Sequence, residues 1–94
     1  MKWLEIIELR SVGSNRELLK RQLKALIDEA HKKAEQQAIK VYNHVAIDTD
    51  FSIHLLYDSV KADINGSPLG LQLVSTLKEF GLVNHSVWIE KLSK

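Results

Sequence analysis

The hydrophobic pattern of this chain switches back and forth between a period of two and a period of about 3.6 residues, and the order of those switches leaves few folds open. Trp3 to Leu9, WLEIIEL, reads as a strand with apolar groups on both sides and with Glu5 and Glu8 interspersed. A strand of that kind suits the centre of a sheet covered on both faces. After Gly13 the period becomes helical. Leu19, Leu23, Leu26, Ile27 and Ala30 form one apolar stripe, and Arg16, Lys20, Arg21, Lys24, Asp28 and Glu29 lie opposite it. Ser14 followed three residues later by Glu17 predicts a capping box, and the helix is expected to fray between Lys32 and Gln37.

Alternation returns from Ile39 to Ile47, where Ile39, Val41, Asn43, Val45 and Ile47 share a side. Asp48-Thr49-Asp50 is turn chemistry, because aspartate side chains satisfy local backbone donors. The strand Phe51–Asp58 follows, with Phe51, Ile53, Leu55 and Tyr57 on one side. The two runs predict a β-hairpin whose three-residue loop keeps the apolar faces in phase. A loop, SVKADINGSPLG, then ends in a helix start, with Ser67 as cap and Pro68 at the first helical position. Leu73, Val74, Leu77 and Phe80 make the inner stripe of that helix, Gly81 is expected to end it, and Leu82–Ile89 is the last strand.

The order is therefore βαββαβ. Right-handed crossovers make this an α+β, ferredoxin-like sandwich, a four-stranded antiparallel sheet with both helices on one face. At 94 residues the chain is expected to form a single domain spanning 1–94.

The second sheet face is the informative one. Its third strand carries Ser52, His54, Leu56 and Asp58, and its second carries Lys40, Tyr42, His44 and Ala46. The expected hairpin register sets His44 opposite His54, and Tyr42 opposite Leu56, at a cross-strand spacing of ~5 Å. The first strand adds either Trp3, Glu5 and Ile7 or Leu4, Ile6 and Glu8. The fourth adds either Leu82, Asn84, Ser86 and Trp88 or Val83, His85, Val87 and Ile89. A face this apolar, rimmed by polar groups, marks an interface or a pocket, and a second copy packed sheet to sheet would cover it as a homodimer.

His44 and His54 are the candidate acid/base pair, since imidazole titrates near neutral pH. The plainer reading is a pair of interface histidines bonded to each other or to water. Tyr42, Asp58, His85 and Trp88 are candidate ligand-binding residues, with simple packing as the alternative for the aromatic ones. Asn84, His85 and Ser86 either line a cavity or mark an edge strand. The stretch NGSPLG, Asn65 to Gly70, is either an anion site at a helix N-terminus or a turn leading into a capped helix. His44 and His54 are alternatively two metal ligands, with Asp58, Glu5 or His85 as the third, but no compact metal-ligand spacing occurs, and no metal or cofactor is assigned.

The element order and the two-sided strands resemble the dimeric α+β-barrel superfamily, which includes the antibiotic-biosynthesis-monooxygenase-like proteins. The resemblance covers nearly the whole chain but matches no motif, so it carries over no catalytic residue. It implies a small organic ligand in a cavity between sheet and helices, and an oxidation chemistry in some members. A non-enzymatic dimeric regulatory or scaffolding module of ACT-like type is the alternative.

Other classes are excluded by composition. A formal net charge of +1 gives no electrostatic reason to expect nucleic acid. FSIHLLYD lacks the glycine and the basic start of an RNA-recognition third strand. The absence of cysteine removes disulfides and thiolate chemistry and suits a cytoplasmic protein. The first ten residues lack the apolar core of a signal peptide, and no apolar run approaches the ~20 residues of a membrane span.

Overall fold

The computed structural model describes residues 1–32 and 38–92. Its elements are β1 (Lys2–Ser11), α1 (Arg16–His31), β2 (Ala38–Asn43), β3 (Asp50–Asp58), α2 (Pro68–Leu77) and β4 (Gly81–Ile89). The strands form one four-stranded sheet in the order β2-β3-β1-β4, with every neighbouring pair antiparallel. This is the expected ferredoxin-like α+β architecture. No helix among the described residues is long and apolar enough to cross a membrane.

The sheet alternates, so the pairing decides which residues meet the helices. Trp3, Glu5, Ile7 and Leu9 of β1 are buried, and Ile53, Leu55 and Tyr57 of β3 join them. Leu19 and Leu23 of α1, with Leu73 and Leu77 of α2, close the same core. Burying each such aliphatic side chain stabilises the fold by roughly 1.5–3 kcal/mol. The two alternatives for β1 and β4 are thereby resolved. Leu4, Ile6 and Glu8 face away from the helices, as do Leu82, Asn84, Ser86 and Trp88. Val83, His85 and Val87 sit on the helix side, across from Leu9, Ile7 and Glu5.

The hairpin register differs from the expected one. Lys40 pairs with His54, Ala38 with Leu56 and Tyr42 with Ser52. His44 therefore does not face His54, and Tyr42 does not face Leu56. The slip is four residues, an even number, so every side chain keeps its face. Its cause is local. β2 stops at Asn43, and His44 turns the chain: its backbone N–H donates to the Asp50 carbonyl at 2.9 Å. Its ring Nδ1 accepts from the Ala46 and Ile47 backbone N–H groups at 3.0 and 3.2 Å. A longer loop replaces the three-residue turn, and Val45, expected on the core side, is exposed.

Both helix ends singled out in the sequence also change. α1 is entered through Asn15, whose φ of 56° lies in the left-handed region that asparagine tolerates. Asn15 thus takes the cap position one residue after Ser14, no side chain caps the helix, and the Ser14–Glu17 box does not form. α1 ends at His31 with Lys32 as its C-cap, and the remainder of the expected fraying segment, 33–37, lies outside the described residues. Gly81 begins β4 rather than ending α2, and a Cβ there would run into the Arg10 carbonyl oxygen.

Candidate functional site

The residues with chemical potential divide between the two faces of the sheet. On the open face the registers align rows of side chains across all four strands. One row runs Ala38, Leu56, Leu4, Trp88; the next runs Lys40, His54, Ile6, Ser86; the third runs Tyr42, Ser52, Glu8, Asn84. The face grades from apolar at one end to polar at the other. Two concavities lie at these ends. One, of about 390 Å³, has Leu4, Leu56 and Trp88 at its floor and Lys2, Asp58 and Glu90 around it. The other, of about 510 Å³, is lined by Glu8, Arg10, Tyr42, His44, Ser52 and Asn84, among others.

Four of the six candidate residues therefore reach a concavity: Tyr42 and His44 the polar one, Asp58 and Trp88 the apolar one. His54 lies between the two. Its Nε2 is 3.0 Å from Ser52 Oγ, and its ring is tilted against Tyr42 with centroids 4.8 Å apart. Asp58 accepts from the N-terminal ammonium of Met1 at 3.3 Å. Trp88 donates its indole N–H to Ser86 at 2.9 Å and is otherwise largely exposed. Among the described residues no group of three His, Cys, Asp or Glu could hold a metal ion.

His85 stands apart, on the helix side, and its partner is Glu5. Glu5 is fully buried in a row otherwise filled by Leu55 and Val87. Its Oε2 lies 2.5 Å from His85 Nε2, a diagonal contact between β1 and β4. Its Oε1 accepts from Ser67 Oγ at 2.6 Å, and the Ser67 backbone N–H points at both oxygens at 3.2 Å. Ser67 Oγ in turn accepts from the Gly70 backbone N–H at 2.9 Å, as the cap of α2, and from the Tyr57 hydroxyl at 2.6 Å. The Tyr57 ring stacks on Trp3 at 4.2 Å between centroids.

This network answers the question posed by NGSPLG. The helix N-terminus does attract an anion, and the anion is the chain's own Glu5 carboxylate. Both glycines make room for it. A Cβ on Gly70 would collide with the carboxylate, and a Cβ on Gly66 would collide with the His85 ring. Gly66 also has a φ of +99°, which other residues avoid. The signal available in the sequence was the parity of Glu5, an acid in phase with Trp3, Ile7 and Leu9; its pairing with a histidine 80 residues away was not.

Fold and sites together define a small α+β protein with one helix-covered and one open sheet face. The likeness to known proteins is structural. It is similar to the solved structure of Rv0793 from Mycobacterium tuberculosis, with a TM-score of 0.74, 18% identity, and coverage of 100% of this chain and 98% of that one. It is also similar to SO0527 from Shewanella oneidensis, with a TM-score of 0.60, 12% identity, and coverage of 94% and 93%. No protein-family model and no curated protein matches the sequence. At these identities the likeness is one of fold.

Proposed function

We propose that two copies of this chain pack through their open sheet faces, as in the dimeric α+β-barrel, antibiotic-biosynthesis-monooxygenase-like superfamily, and that the dimer binds a small organic molecule. The observation that carries the proposal is the apolar row Ala38, Leu56, Leu4, Trp88, which crosses the whole open face and ends in a tryptophan that is 58% exposed. An apolar stripe of that extent is stabilised by cover, and a second sheet is a matching cover. The polar concavity at the other end of the face is the ligand site in this reading. Tyr42 supplies an aromatic wall, and Arg10, Glu8 and Asn84 supply polar contacts. His44 lines it, and His54, beside Tyr42 and Ser52, stands at its margin as the second imidazole.

Sedimentation of Leu56→Glu tests the assembly, because the substitution sets an unpaired charge in the middle of the row. The wild type is expected to sediment as a dimer and the variant as a folded monomer. A wild type that is monomeric at tens of micromolar refutes the proposal. Native mass spectrometry of the untreated protein tests the ligand: retained mass on the dimer supports binding, and its loss in Tyr42→Ala locates it.

A further inference from the structure

Among the described residues, the Glu5–His85 pair joins a fully buried carboxylate to a partly buried imidazole, and the dimer proposal leaves it unused. An ionised carboxylate offers no proton and only accepts, so in that state the nitrogen that faces it carries the hydrogen. With Glu5 ionised, His85 Nε2, at 2.5 Å from Glu5 Oε2, is the N–H nitrogen, and the neutral ring's lone pair is left on Nδ1. No hydrogen bond to Nδ1 occurs among the described residues. The His85 side chain keeps 19% of its surface accessible while Glu5 keeps none. His85 lies on β4, an edge strand of the sheet.

A buried carboxylate and a partly accessible imidazole oriented by it form the base half of a nucleophile-activating triad. The carboxylate is itself fixed by Ser67 and the α2 N-terminus, so the ring is held rather than free to turn. The two glycines that clear space for the pair show that the chain is shaped around it. We propose that His85, positioned by Glu5, is a general base that accepts a proton at Nδ1 from a weakly acidic small organic molecule, an enol, a phenol or a carbon acid beside an electron-withdrawing group. The acid's bond to hydrogen breaks, an Nδ1–H bond forms, the electron pair stays on the organic anion, and Glu5 balances the imidazolium. This goes beyond the dimer reading, since the pair lies on the opposite face of the sheet and its test does not depend on subunit count.

Two measurements test it. Long-range ¹⁵N–¹H NMR of the wild type, above the imidazole titration, is expected to show His85 protonated on Nε2 and bare on Nδ1; a ring protonated on Nδ1 overturns the proposal without any variant being made. The second uses 5-nitrobenzisoxazole, from which a base removes the carbon-bound proton as the N–O bond breaks to give a coloured cyanophenolate. Wild-type protein is expected to exceed equimolar imidazole by about 100-fold, with that excess lost in His85→Gln and reduced at least about tenfold in Glu5→Gln. A wild-type rate equal to that of imidazole, or one retained in a His85→Gln variant of native circular dichroism, refutes it.

Discussion

At the scale of single residues, Glu5 sets the character of the protein's interior. A carboxylate in a row of Leu55 and Val87 would be costly to bury alone. Three donor groups meet it here, the Ser67 N–H, the Ser67 hydroxyl and the His85 ring, so its lone pairs are used. Gly70 is the test of how tightly that arrangement is held. It occupies the third position of α2, where a Gly-to-Ala change in an uncrowded helix stabilises by about 0.5–1 kcal/mol. With the carboxylate where a Cβ would go, Gly70→Ala is instead expected to destabilise by about 3 kcal/mol in urea titration. The sign of the change decides: a stabilised variant means that the Glu5 side chain can leave its place.

Among the elements, the two helices begin in different ways, and only one beginning is tied to the core. Ser67 caps α2, anchors Glu5 and receives the Tyr57 hydroxyl with a single oxygen. Ser67→Ala removes all three bonds and leaves buried groups unpaired, which is expected to cost about 3 kcal/mol. Ser14, which has the better sequence signature, caps nothing, because Asn15 holds the cap position of α1. Ser14→Ala is expected to change stability by less than about 0.5 kcal/mol in the same titration. The hairpin gives a similar lesson. His44 looked like one member of a cross-strand pair, yet its ring serves as an acceptor for two loop amides. Strand alternation carries no information on where a strand stops, and here a side chain that bonds its own loop stopped it.

For the whole molecule, the distinction that matters is between a helix-covered face and an open one. The two tryptophans report on them separately. Trp3 is buried against Tyr57, and Trp88 stands on the open face. If copies assemble through that face, Trp88 leaves water while Trp3 does not change. Dilution from the micromolar to the nanomolar range is then expected to shift the emission of a Trp3→Phe variant to longer wavelength. Emission independent of concentration, in a variant shown to be dimeric, would place the interface elsewhere.

The βαββαβ order, the Ser67-Pro68 start of α2 and the faces of β2 and β3 are legible in the residue pattern, because periodicity and capping chemistry act over a few residues. The same pattern marked the open face as too apolar for water, since that follows from alternation alone. Which side of β1 and β4 meets the helices is not legible there, because both sides of each carry apolar groups and the choice rests on packing against Leu19, Leu73 and Leu77. The same choice moved His85 away from the other candidates and onto Glu5. His54 lost its expected partner to a four-residue slip that leaves the alternation unchanged. Long-range partners are set by register and by the docking of α2, and neither has a period that a sequence pattern can display.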